Sequence, residues 1–149
     1  GCIEQFGSPI DLYLRPKSAF VAEFFGEINV LEGIVQDGSV KTVLGTFKCS
    51  KKFNNKKVKI VIRDEAIKLF SANKINLNIK DKTNLIKSSY YGYVMETRLL
   101  AGSSLVHLSL KVDELNFHIH ARIPGLNFFK VDEKVVVETD PTQIFIFEQ

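Results

Sequence analysis

"INVLEGIVQDGSVKTVLGTFKC", residues 28–49, alternates apolar and polar side chains on both sides of an Asp37-Gly38 pair. A period of two is what a half-buried strand requires, because successive side chains point to opposite faces of a sheet. Asp-Gly between two such runs signals a two-residue hairpin, whose central positions need positive φ. The stretch predicts a strand over 28–36, a tight turn, and a second strand over 39–49.

The same signals continue downstream in "VKIVIR" (58–63), "INLNI" (75–79), "SSYYGYVMETRLLA" (88–101), "SLVHLSLKV" (104–112), "LNFHIHARI" (115–123), "EKVVVET" (133–139) and "IFIF" (144–147). Many short strands with closely spaced turn residues indicate an antiparallel barrel or sandwich. No strand-helix-strand alternation supports a doubly wound sheet.

Upstream the period changes to that of short helices. "SPID" (8–11) places Ser8 as N-cap, Pro9 at the first helical position and Asp11 three residues after the cap. Pro16 ends that helix. Ser18 starts a second one through Phe20, Val21, Phe24 and Phe25, and Gly26 is expected to give a left-handed exit.

The chain has 149 residues, 45% of them hydrophobic and 25% charged, the composition of an ordinary globular protein. A chain of this length buries roughly 68–70% of its unfolded surface in one core. No apolar run reaches the roughly 18–20 residues of a membrane helix, and the N-terminus lacks the order of a signal peptide, so a cytoplasmic setting is expected. Cys2 and Cys49 are far apart in sequence and read as reduced packing thiols.

The net charge of +3 is unevenly spread. Lys41, Lys48, Lys51, Lys52, Lys56, Lys57, Lys59 and Arg63 fall between Gly38 and Arg63 with no acid among them, leaving 12 bases against 17 acids elsewhere. Such a block is either a solvated hairpin or a phosphate footprint. A single-stranded nucleic-acid module using Lys48 to Arg63 is the alternative function. Stacking would need aromatics on the same surface, and only Phe47, Phe53 and Phe70 lie near in sequence.

Catalytic chemistry is sparse. None of the nine glycines precedes a lysine, so there is no Walker A phosphate loop, and no G-x-G-x-x-G follows a strand. No serine, cysteine or carboxylate pair has a catalytic context; Asp113-Glu114 and Asp132-Glu133 fit turns. His118 and His120 share one face of a predicted strand, a spacing two metal ligands can use, but no third ligand is identified because the register of His107 is open. They read as exposed or hydrogen-bonded strand histidines, and no metal is expected. Gly102, Ser103 and Ser104 form a small-residue loop between two strands, which serves either as a plain turn or as an oxyanion cradle of backbone N–H groups and hydroxyls. Phe128 and Phe129, just after Pro124-Gly125, are candidates for a contact between chains or for the plug of a barrel end.

The segment "IEQFGSPIDLYLRPKSAFVAEFFGEIN" (3–29) resembles the stretch that follows the ATPase core in ATP-binding subunits of bacterial ABC importers. That family repeats I-x-Q-x-G-x-P-x-x-x-Y-x-x-P-x-x-x-F-V-A-x-F-x-G-x-x-N, and Ile3, Gln5, Gly7, Pro9, Tyr13, Pro16, Phe20, Val21, Ala22, Phe24, Gly26 and Asn29 fit it. Downstream, "VKIVIRDEAIKLF", "YYGYVMETRLLAGSSLVHLSL" and "DEKVVVETDPTQIFIF" resemble the transport-associated OB (TOBE) domain, with Asp64 where the family usually has proline.

The resemblance implies a mainly β fold: an OB-type antiparallel barrel built from two similar halves, roughly 28–70 and 89–147, with short N-terminal helices. It also implies that residues 1–27 are a helical linker from an ATPase domain and that 28–149 are a regulatory and dimerisation domain. ATP and Mg would bind in the ATPase domain, and no cofactor in the present residues. The implied partners are that domain, a second copy of the subunit and the membrane permease, at the cytoplasmic face of the cell membrane. Polyamine importers look most similar, ferric-iron importers next and sugar importers after them.

Overall fold

The computed structural model describes residues 2–72 and 90–149. The predicted strand at 75–79 lies outside the described residues. Among the described residues, two short helices, α1 (Pro9–Leu14) and α2 (Ala19–Glu23), precede ten strands. Both begin as their sequences dictate: the Ser8 side chain accepts from the Asp11 N–H and the Ser18 side chain from the Val21 N–H, each satisfying an amide that the first helical turn leaves without a partner. Gly26 takes a φ of 153° rather than the left-handed helical value.

The strands are β1 (Ile28–Gln36), β2 (Ser39–Thr42), β3 (Gly45–Lys48), β4 (Lys57–Arg63), β5 (Ile67–Ser71), β6 (Tyr90–Leu100), β7 (Ser103–Val112), β8 (Leu115–Pro124), β9 (Lys134–Thr139) and β10 (Ile144–Glu148). Asp37 and Gly38 form the expected hairpin turn, with φ of 49° and 70°, and Gln36 pairs with Ser39 across it. The single strand expected over 39–49 is two, interrupted before Gly45, whose φ of 131° no L side chain adopts readily.

The chain divides into two compact units, each holding a five-stranded antiparallel sheet. The first sheet runs in the order β10-β4-β1-β2-β3. β4 lies between β1, the middle strand, and β10 at the edge. Val58, Ile60, Val61 and Ile62 are completely buried there, and full burial of such a side chain contributes about 1.5–3 kcal/mol. In β1 the inward positions are Asn29, Leu31 and Val35. Gly33 sits where a Cβ would come within 2.4 Å of a Val40 methyl, so only glycine lets β1 and β2 approach this closely.

The second sheet runs β5-β9-β6-β7-β8. Its edge strands β5 and β8 lie against each other, so the sheet curls toward a closed barrel, which removes exposed sheet edges. Val94, Val106, Leu108, Leu110, Ile119, Val135 and Val137 fill its interior. The two halves are therefore present but not contiguous in sequence. β5, from the N-terminal half, pairs with β9, and β10, from the C-terminal end, pairs with β4. Each expected half gives its last strand to the other sheet, an exchange that residue periodicity does not encode.

Candidate functional site

In the first unit the organising side chain is Arg63, at the end of β4. It is 2% exposed. Its Nη2 donates to the Tyr13 carbonyl at 2.8 Å and its Nη1 to the Ala22 carbonyl at 3.3 Å. The guanidinium carbon lies 4.0 Å from the centre of the Tyr13 ring and 5.5 Å from that of Phe145. Planar, weakly hydrated guanidinium suits this enclosure better than an ammonium would. Burial lowers its pKa and the charge of Asp64 opposes that shift. Arg63, counted within the basic block, is thus no phosphate contact. It ties the N-terminal helical segment to the first sheet.

The rest of the block is divided. Lys56 pairs with Glu148 and Lys57 with Glu32, each at 2.7 Å. Lys17, Lys52 and Lys59 line an open groove of about 600 Å³ with Phe20, Phe53 and Phe147. Of the aromatics near the block in sequence, Phe53 joins that groove, under the Lys52 ammonium at 4.7 Å. Phe70 belongs to β5 in the other unit.

In the second unit, Gly102 turns the β6–β7 hairpin at φ 76°. Ser104 is fully buried; its hydroxyl donates to the Gly125 carbonyl at 2.9 Å and accepts from the Asn127 N–H at 2.8 Å. The Gly102 carbonyl accepts from the Gly125 N–H at 2.9 Å. The one O–H donor of Ser104 is therefore already engaged in bracing the 124–127 turn. Leu126 in that turn is exposed, and beyond it Phe128 is 75% exposed, Phe129 half-buried and Val131 exposed.

The register left open by the sequence places the three histidines together. His107 on β7 lies directly opposite His120 on β8. His118, two residues from His120, shares that face. Val106, Leu108, Ile119 and Ala121 point to the interior, so the imidazoles occupy the other face of the same two strands. Ring centroids are 4.6 Å apart for His107 and His120, 4.8 Å for His118 and His120, and 5.3 Å for His107 and His118. His107 Nδ1 is 3.1 Å from His118 Nε2, while His107 Nε2 is buried without a hydrogen-bond partner. Leaving such a group unsatisfied costs about 1–3 kcal/mol.

A register shift between Val94 and Glu96 on β6 reverses the alternation, pairing Val94 with Leu108 but Glu96 with His107. The bulge brings the Glu96 carboxylate to the histidine face. Burial, and after it the charges of His120, His118 and Arg98, holds the His107 pKa below the ordinary histidine value, against the opposing pull of Glu96. Glu96 is held below the usual carboxylate value by its hydrogen bonds from Arg98, at 2.9 and 3.0 Å.

No protein-family model matches the chain. Among individual proteins it is 36% identical over 132 residues to the spermidine/putrescine import ATP-binding protein PotA of Acetivibrio thermocellus, a match spanning 80% of this chain and 37% of that protein. The protein of the same name from Desulfitobacterium hafniense is 36% identical over 126 residues, covering 83% of this chain and 35% of its own length. That from Clostridium novyi is 32% identical over 135 residues, covering 89% and 37%. The chain thus spans little more than a third of the length of these relatives. A solved structure of the cytoplasmic molybdate-binding protein ModG, with molybdate bound, superimposes with a TM-score of 0.56 and 14% identity over 79% of this chain and 94% of that one. That likeness is one of fold. By sequence and fold together, the chain belongs with the C-terminal transport-associated OB domains of ATP-binding subunits of bacterial ABC importers.

Proposed function

We propose that this chain serves as the C-terminal regulatory and dimerisation part of an ATP-binding subunit that energises import of a small solute, a polyamine first and ferric iron next. The observation that carries the reading is the 36% identity over 132 residues to a spermidine/putrescine import ATP-binding protein, on a fold with no phosphate loop in its sequence. In this reading these residues are not catalytic. ATP and Mg bind in an ATPase domain of the same subunit, and its hydrolysis drives transport. The subunit works at the cytoplasmic face of the membrane, held there by the permease. No helix among the described residues is long and apolar enough to cross a membrane.

The surface supports those partners. Ile3, Phe6, Ile10 and Phe24 in the N-terminal segment are 84%, 94%, 69% and 79% exposed. Apolar exposure on this scale suits coverage by another protein surface, and the ATPase domain is the proposed occupant. Phe128, with Leu126 and Val131 also exposed near it in sequence, is the proposed contact with a second copy. The test is affinity purification of the chromosomally tagged protein from solubilised membranes of its own organism. Recovery of ABC permease subunits is expected. Recovery without any permease, or with nucleic acid that leaves at raised salt, overturns the reading.

A further inference from the structure

We propose that His107, His118 and His120 form a binding site for a divalent transition-metal ion of the zinc type on the outer face of the β7–β8 hairpin. The site is independent of the transport reading, since it rests on the geometry of one sheet.

Each ring offers one nitrogen, and the three lie within 4.8 Å of one another. A tetrahedral zinc ion with Zn–N distances of about 2.0–2.1 Å sets its ligand nitrogens about 3.3–3.4 Å apart. His107 Nδ1 and His118 Nε2, 3.1 Å apart, already stand near that spacing. Closing the widest pair requires no more than about 1.5 Å of side-chain movement, at rings that are half-buried or exposed.

Sheet pairing holds two of the three in place. His107 and His120 are fixed opposite each other, flanked by Ser109 opposite His118 and by Leu105 opposite Arg122. Coordination through His107 Nδ1, the nitrogen 3.1 Å from His118 Nε2, leaves the buried Nε2 of the same ring outside the ligand set. Each neutral imidazole can give one lone pair to an ion.

The neighbouring charges also fit. Glu96, opposite His107, contributes a carboxylate next to the ring, partly offset by its partner Arg98. Three imidazoles leave a fourth coordination position toward solvent, the donor set of an open rather than a closed site. Imidazole nitrogens favour zinc, copper or nickel over magnesium or calcium, which take oxygen ligands.

The test uses the tag-free chain, with zinc competed against a chromophoric chelator. The expected result is one equivalent bound per chain. Loss of an outer hydrogen bond to a metal ligand already costs about 10–100-fold in affinity, so removal of a ligand should cost at least as much. His118→Ala and His120→Gln should each weaken binding tenfold or more, and the exposed His118 position keeps its variant folded by circular dichroism. Cobalt substitution should give the intense visible absorption of a tetrahedral ion in the wild-type chain and lose it in His118→Ala. Failure of the wild-type chain to compete for zinc overturns the proposal. So does equal binding by the His118→Ala/His120→Ala double variant, which would place the ion elsewhere, such as at the exposed Cys2.

Discussion

Arg63 and Tyr13, fifty residues apart, are joined by a 2.8 Å hydrogen bond from guanidinium to main-chain carbonyl, with the Tyr13 ring stacked over the same charge. This pair makes the N-terminal helical segment part of the first unit rather than a free extension. Arg63→Ala should destabilise the fold by about 2–4 kcal/mol, the value of two charge-assisted hydrogen bonds reduced by the relief of burying a cation. Limited proteolysis should then cut first before residue 25. Arg63→Lys should recover only part of the loss, because one ammonium cannot span the carbonyls of Tyr13 and Ala22 as the planar fork does. Chemical denaturation that leaves Arg63→Ala as stable as wild type would show the anchor to be idle.

Ser104→Ala removes a buried hydroxyl and leaves the Gly125 carbonyl and the Asn127 N–H without partners. The expected cost is about 1–3 kcal/mol in urea unfolding. Ser103→Ala, at the less buried neighbouring position, should change stability by no more than about 0.5 kcal/mol. Equal effects of the two would contradict the bracing role.

Phe128 and Phe129 differ in environment, and their variants should differ accordingly. Phe128→Asp, at a position 75% exposed, should leave the melting temperature nearly unchanged, a surface effect within about 0.5 kcal/mol. It should weaken self-association in sedimentation if Phe128 meets a second copy. Phe129→Asp should destabilise the monomer by about 1–3 kcal/mol, through burial of a charge beside apolar surface. Identical sedimentation of wild type and Phe128→Asp would remove Phe128 from the dimer contact.

The absence of a phosphate loop from the sequence gives a prediction about nucleotides. Calorimetric titration of the isolated chain with Mg-ATP should be flat. Micromolar binding would reveal a nucleotide site and contradict the division of labour proposed between this chain and its ATPase domain.

Local signals were legible wherever a few adjacent residues decide the outcome. Ser8, Pro9 and Ser18 set the helix starts, and Asp37-Gly38 the hairpin, because capping and positive φ are properties of single positions. What could not be read were the relations between distant residues. The transfer of β5 and β10 between sheets, the burial of Arg63 within a basic run, and the meeting of His107 with His118 and His120 all depend on strand order and register. Two histidines at i and i+2 were visible as a pair. The third was invisible because a one-residue change of register would have placed His107 on the opposite face. The Glu96 bulge had no sequence signal comparable to a glycine turn.

The proposal that these residues belong to an ATP-driven polyamine importer is tested most directly by the uptake of radiolabelled spermidine by cells. A strain whose gene lacks the segment encoding residues 28–149 should take up spermidine much more slowly than its parent, with uptake restored by the intact gene. Uptake unchanged by the deletion, in a strain shown to have no second polyamine importer, would contradict the account.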